Sequence, residues 1–184
     1  MRNLIYTINL TADGCCDHTK IGSSGETLEY VLNLFQDVDL QIFGRKTYEL
    51  MVPYWPDVAK DPAEDEESIA FAKAFVALNR IVFSRTLKNV EEKNTNIVRA
   101  NLKDEVLKLK QQPGKKILVG GVSVPEQLIE LGLVDEFRFV VHPMIVGKGR
   151  RLADGVNLAE RLNLKLVDTK VFKSGAVALH YVKQ

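Results

Sequence analysis

Long apolar runs, spaced cysteines and an excess of either charge are all missing from this chain of 184 residues. No stretch approaches the roughly 20 apolar residues that a membrane helix requires. The opening Met1 to Gly14 has one early positive charge, but Thr7, Asn9 and Asp13 break its apolar run. It therefore lacks the continuous apolar region of a secretory signal and reads as a first strand, so the expected setting is cytoplasmic with no membrane contact. The 25 Lys and Arg nearly cancel the 24 Asp and Glu, leaving a formal net charge of +1. No general field would then collect nucleic acid or an anionic membrane. The 2 cysteines, Cys15 and Cys16, are adjacent, whereas zinc-binding pairs are usually spaced two to four residues apart. With His18 they offer one turn of chain, so no metal is expected and two reduced thiols are.

What is present is enough apolar material for one core, 46% of the residues, and the expectation is a single domain over residues 1–184. β-Branched and aromatic residues gather into eight candidate strands: Leu4 to Leu10, Val38 to Phe43, Arg80 to Ser84, Asn96 to Arg99, Lys116 to Val119, Glu136 to His142, Leu164 to Phe172 and Ala176 to Val182. Helical spacing appears between them, at Leu28, Val31, Leu32 and Phe35, and again at Ile69, Ala72, Phe75 and Val76. Leu102 to Gln111 is a third helix, stopped by Pro113 and Gly114. A fourth is marked by Ser123 as cap, Glu126 completing a capping box, Pro125 in the first turn and Gly132 past the end. Alternating strands and helices predict an α/β fold with a mostly parallel sheet. The last two strands, joined by Lys173, Ser174 and Gly175, have no room for a crossover and predict an antiparallel hairpin at the sheet edge. Asp57 to Glu67, with six acids against Lys60, reads as an exposed loop leading into a helix at Ser68, either a solvated connector or a substrate gate.

Three predicted strands end in residues suited to phosphate. Lys116 to Val119 runs into Gly120 and Gly121 and then a helix start, which presents backbone N–H groups and lets an anion approach closely. A ligand-free tight turn explains that pair equally well. The strand ending at Phe43 runs into Gly44, Arg45, Lys46 and Thr47; cations at a helix start oppose its dipole, which favours a bound anion. The third strand ends in Ser84, Arg85 and Thr86. Ligands of open parallel sheets bind beyond the carboxyl ends of the strands, and three such ends point to an extended polyphosphate such as a dinucleotide. The common G-x-G-x-x-G fingerprint is absent after the first strand.

The ordered set Asn9 to Gly14, Gly44 to Glu49, Tyr54-Trp55-Pro56, Ser84-Arg85-Thr86, Val119-Gly120-Gly121 with Glu126-Gln127-Leu128, and His142 to Gly149 resembles the dihydrofolate reductase superfamily over nearly the whole chain. The closer likeness is to the reductase (RibD C-terminal) domain of riboflavin biosynthesis. The resemblance implies a dihydrofolate reductase-like, mixed eight-stranded sheet flanked by helices, with NADPH across the strand ends. It places Gly44, Arg45, Lys46 and Thr47 at the adenosine phosphates, Ser84 and Arg85 at the 2'-phosphate and adenine side, Gly120, Gly121, Val122, Ser123 and Val124 at the pyrophosphate, and Ala12, Asp13 and Gly14 beside the nicotinamide.

Folate-reducing members carry a carboxylate on the first helix; the matching stretch here is Glu26 to Tyr30, where no acid is assigned that role and Glu29 is read as solvent-facing or substrate-binding. The His and Cys motifs of a zinc deaminase are absent. Candidates for proton traffic are Asp13, Asp17, His18 and Glu29, with Asp17 and His18 on one loop where a carboxylate would orient an imidazole. Each has a bland alternative, Asp13 as a turn former and the pair as exposed loop residues. Asn9, Glu29, Tyr48 and Trp55 are candidates for orienting substrate, and His142 reads as structural. The expected activity is an NADPH-dependent reductase that delivers hydride to a small heterocyclic or ribosylamino compound, by resemblance a 5-amino-6-(5-phosphoribosylamino)uracil reductase type. The alternatives are a non-catalytic NADP-binding sensor or scaffold and a thiol enzyme using Cys15 or Cys16 with His18. The family likeness and the apolar region Phe137 to Met144 lend slight support to a homodimer.

Overall fold

Leu4, Tyr6 and Ile8 alternate with Ile5 and Thr7 along β1 (Leu4–Thr11), so the strand offers an apolar row to one face of the sheet and Ile5 to the other. The computed structural model describes residues 1–22 and 24–184. After β1 come α1 (Gly25–Phe35), β2 (Val38–Gly44), α2 (Arg45–Met51), α3 (Trp55–Val58), α4 (Glu66–Ala77), β3 (Asn79–Phe83), β4 (Thr95–Val98), α5 (Leu102–Gln111), β5 (Lys116–Val119), α6 (Ser123–Glu130), β6 (Glu136–His142), β7 (Leu164–Val171) and β8 (Val177–Lys183). The eight strands form one sheet in the order β4-β3-β2-β5-β1-β6-β8-β7. Its first six are parallel, and β8 runs antiparallel to both of its neighbours, β6 and β7. The pattern predicts a mostly parallel α/β sheet with a C-terminal antiparallel hairpin, and the resemblance implies this dihydrofolate reductase-like form of it. None of the described helices is long and apolar enough to cross a membrane.

Two apolar layers sandwich the sheet. One packs α5 and α6, through Val106, Leu109, Val124 and Leu128, on Leu4, Tyr6, Ile42, Ile117 and Val119. The other packs α1, α3 and α4, through Leu28, Trp55, Phe71 and Phe75, on Ile5, Phe43, Val82 and Leu118. Trp55, expected to orient substrate, is buried with its ring centroid 4.5 Å from that of Phe71. Phe137 and Val140 are buried within β6, an internal strand, so the protein's own core accounts for the apolar region behind the dimer expectation. The exposed apolar side chains Leu166, Val167 and Val171 lie instead on the edge strand β7.

Two local expectations are corrected. Residues 57–67 are not one loop: Trp55–Val58 is a short helix, and α4 begins at Glu66, two residues earlier than expected. Asp65 supplies its cap by accepting from the Ser68 N–H at 2.8 Å. At α6 the expected Ser123 capping box does not form. The N-cap is Val122, no side chain caps the helix, and Glu126 turns instead to Arg150.

Candidate active site at the strand ends

β3, β2 and β5 are consecutive in the sheet. The three phosphate-suited sequences therefore end side by side at one rim, because parallel pairing in register brings Gly44 opposite Phe83 and Ile42 opposite Val119. β5 returns between β1 and β2, so the chain leaves the sheet in opposite directions around it, which opens the crevice where such sheets take ligands.

The Gly120-Gly121 turn is shaped by its neighbours. Gly121 has φ +87, and a Cβ there would collide with Thr47 Oγ1; a Cβ on Gly120 would lie 2.8 Å from the Phe43 ring. Thr47 in the first turn of α2 thus sits against the backbone that starts α6, and the two helix N-termini converge. Gly44 caps α2 without a side-chain hydrogen bond, and α6 also lacks a side-chain cap. Donors of both first turns are left for another acceptor.

The side chains around this rim have different duties. Arg45 pairs with Glu49 on the exposed face of α2 at 3.1 Å. Lys46 and Arg85 are exposed. The Ser84 hydroxyl accepts from the Leu87 and Thr86 N–H groups at 2.9 and 3.2 Å, which shapes the turn that carries Arg85. Tyr48, expected to orient substrate, is buried: its hydroxyl donates to Glu92 at 2.7 Å, and burial together with that carboxylate pushes its pKa up to about 12. It clamps α2 to the residues before β4.

The loop after β1 is stitched to the segment after β6. Ala12 N–H donates to the Met144 carbonyl, Cys16 N–H to that of Arg150, and Leu152 N–H to that of Gly14, all at 2.8–3.0 Å. Asp13 anchors the same junction. It accepts from the Thr11 hydroxyl at 2.5 Å and from the N–H groups of Gly147 and Val146, and it pairs with Arg151 at 3.4 Å. The Thr11 bond chiefly holds its carboxyl below the ordinary range. Asp17 accepts from the Thr19 hydroxyl and N–H at 2.8 and 3.0 Å, which lowers its pKa, while His18 beside it is exposed. The hydrogen bonds of Asp17 therefore run to Thr19 rather than to the imidazole. Burial pushes the Cys16 thiol up, away from the thiolate a thiol enzyme needs. Among the described residues no group of three or more His, Cys, Asp or Glu is placed to hold a metal.

Two acids on α1 bear on folate chemistry. Glu26 accepts from the N–H groups of Lys173 and Ser174, both at 3.3 Å, and Glu29 is exposed. Neither is a buried carboxylate. His142, read from the sequence as structural, is buried at the end of β6 with Nε2 3.1 Å from Asn9 Oδ1; burial lowers its pKa and keeps the ring neutral near pH 7. Sequence reading passed over Arg150, whose guanidinium lies at α6 although it is 27 residues from Ser123 in sequence. An irregular segment far along the chain has no periodicity that would reveal such a contact.

Comparison with known proteins bears on the fold and the family. The Bacillus subtilis (strain 168) protein YyaP, itself uncharacterized, is 34% identical over 188 aligned positions, covering 98% of this chain and 94% of that one. The Thermotoga maritima diaminohydroxyphosphoribosylaminopyrimidine deaminase/5-amino-6-(5-phosphoribosylamino)uracil reductase superposes with a TM-score of 0.68 at 16% identity, covering 100% of this chain and 57% of that one. The Enterococcus faecalis dihydrofolate reductase complexed with NADP(H) and RAB-propyl gives a TM-score of 0.62 at 14% identity, over 99% and 96% of the two chains. At such identities these two structures share the fold. The RibD C-terminal domain model matches residues 2–178, and the chain belongs to that family.

Proposed function

We propose that the protein is an NADPH-dependent reductase of a small heterocyclic or ribosylamino compound, of the 5-amino-6-(5-phosphoribosylamino)uracil reductase type. The observation that carries this reading is the meeting of α2 and α6 at Thr47 and Gly121, flanked by the β3 end. Two uncapped helix N-termini with Arg45, Lys46 and Arg85 close by suit a dinucleotide's phosphates. Gly44 to Thr47 and Gly120 to Val124 would hold the phosphates, Ser84 and Arg85 the 2'-phosphate, and Ala12 to Gly14 the nicotinamide side. NADPH, when bound, supplies a hydride from C4 of its nicotinamide ring.

The chain's own residues then have to orient substrate and move a proton. Asp13 is committed to the loop junction by its four partners, so it positions the loop rather than donating a proton. Asp17 is held ionised, which leaves His18 as the candidate donor on that loop. Asn9 and His142 offer an amide and a neutral imidazole at the adjacent ends of β1 and β6 for substrate polar groups. The reading sets the protein in the cytoplasm as a homodimer, and sedimentation at micromolar concentration tests the dimer. The decisive assay follows NADPH absorbance with the pyrimidine ribosylamine and dihydrofolate offered side by side. Oxidation with the ribosylamine supports the proposal; tight NADPH binding with no oxidation by any such compound would make the protein a sensor.

A further inference from the structure

The cations considered so far were visible as strand-end residues, but Arg150 enters the same rim from the segment after β6. Its backbone is fixed first: its carbonyl accepts from the Cys16 N–H at 2.8 Å, and the Cys16 thiol lies 3.3 Å from the same oxygen. Just before it, Gly149 has φ +134, and a Cβ there would lie 2.6 Å from Cys15 Sγ. The chain therefore reaches Arg150 along one path. Its guanidinium then meets Glu126 Oε2 and comes within 3.5 Å of the Ser123 hydroxyl in the first turn of α6.

A cation beside a helix N-terminus opposes the dipole. Glu126 offsets that locally, yet it is 6% exposed and its other oxygen, Oε1, has no hydrogen-bond partner. A buried carboxylate is stable only while its counterion stays. Arg150 meanwhile is 46% exposed and has more N–H donors than Glu126 and Ser123 use. A half-open guanidinium held by a buried acid above an uncapped helix start can take a phosphate oxygen without leaving its anchor.

We propose that Arg150 contacts the diphosphate of NADPH at the N-terminus of α6 and that Glu126 is the positioning residue that holds it there. This rests on the cofactor reading given under Proposed function. It assigns Arg150 a different duty from Arg85, since the diphosphate is common to NADPH and NADH and the 2'-phosphate is not.

The test is fluorescence titration of NADPH and NADH, with thermal unfolding of the cofactor-free protein measured in parallel. Arg150→Ala should weaken both cofactors by about ten- to a hundredfold, the effect of one charge-assisted contact, and Arg150→Lys should fall between it and wild type. Arg150→Ala also strands the Glu126 carboxylate and should lower the melting temperature. Combining it with Glu126→Gln removes the stranded charge, so stability should recover while affinity does not. Recovery of affinity to within twofold of wild type in the double variant would reduce Arg150 to a counterion and overturn the proposal. So would an unchanged Arg150→Ala, or a loss confined to NADPH. Wild-type protein that binds neither cofactor overturns the underlying reading as well, a result visible before any variant is made.

Discussion

The two ends of the sheet use their charges in opposite ways. At the amino ends of the parallel strands cations serve the fold. Lys110, 5% exposed, donates to Asp135 and to the Leu133 carbonyl, and Asp135 in turn accepts from the Leu4 N–H. Arg2 pairs with Asp39, and Glu136 is surrounded by Asn3, Lys116, Arg138 and His180. Burial opposes ionisation of Glu136, but the hydrogen bonds from Asn3 and Lys116 with the nearby cations outweigh it and its pKa is lowered. At the carboxyl ends Lys46 and Arg85 stand exposed, Arg45 has only a surface partner, and Arg150 is half open. A net charge of +1 hides this division. What marks a binding rim is the availability of its cations, not their number.

The comparison can be broken most severely at the amino end. Lys110→Met should destabilise the protein by about 1.5 to 3 kcal/mol, because it removes a charge-assisted hydrogen bond to Asp135 and leaves the Leu133 carbonyl without its donor. Cofactor affinity of the fraction still folded should not change. Chemical denaturation with NADPH titration below the midpoint checks both halves, and an equal loss of affinity would erase the distinction between the ends.

At the other end, turnover of dihydrofolate should be about 10² to 10⁴ slower than a carboxylate-assisted reductase achieves, since Glu26 is bonded to the hairpin and Glu29 faces solvent. A rate matching ordinary folate reductases would show that a proton donor other than an α1 acid serves pterins. Arg85→Ala should weaken NADPH by about 1.5 to 3 kcal/mol, roughly ten- to a hundredfold, with little change for NADH, and added salt should narrow the gap. Equal losses for both cofactors would remove Arg85 from the 2'-phosphate.

The smallest effect concerns pH. The His142 and His180 pKa values lie below 6.5 in the folded protein, each mainly through burial. The unfolded chain then takes up those protons first on acidification, so stability is greatest above about pH 6.5 and declines as pH falls through the folded values. Melting temperatures between pH 8 and 5 should show that decline, and His142→Gln should flatten it. A slope of the opposite sign would mean that the folded state favours the imidazolium forms.

The strands were legible because β-branched runs bounded by turn residues survive in any context, and all eight lie within two residues of their expected limits at either end. α5 agrees at both ends for a similar reason, with Asn101 accepting from the Lys103 N–H before it and Pro113 after it. Caps fared worse. Asp65 was hidden in a run that also holds Asp57 and Asp61, and at α6 Val122 takes the N-cap position while Glu126 pairs with Arg150. The rim itself was legible as three strand ends, but their adjacency depends on β5 inserting beside β2, which pattern alone does not show. Tyr48 and Trp55 looked like substrate groups because an aromatic near a strand end carries no label for the side it faces.

The stitched pair of loops, one after β1 and one after β6, has a consequence for how members of this family diverge. Three backbone bonds and the Asp13 carboxylate cross between them, so neither has a shape of its own to inherit. Grafting the 12–17 segment from a relative whose loop follows another path would move the N–H groups from which the Met144 and Arg150 carbonyls accept, and grafting only 144–152 would shift the N–H groups that hold Asp13. Recombination in the laboratory, and the drift of specificity in a lineage, therefore has to carry the two segments as one heritable block although some 130 residues of chain lie between them.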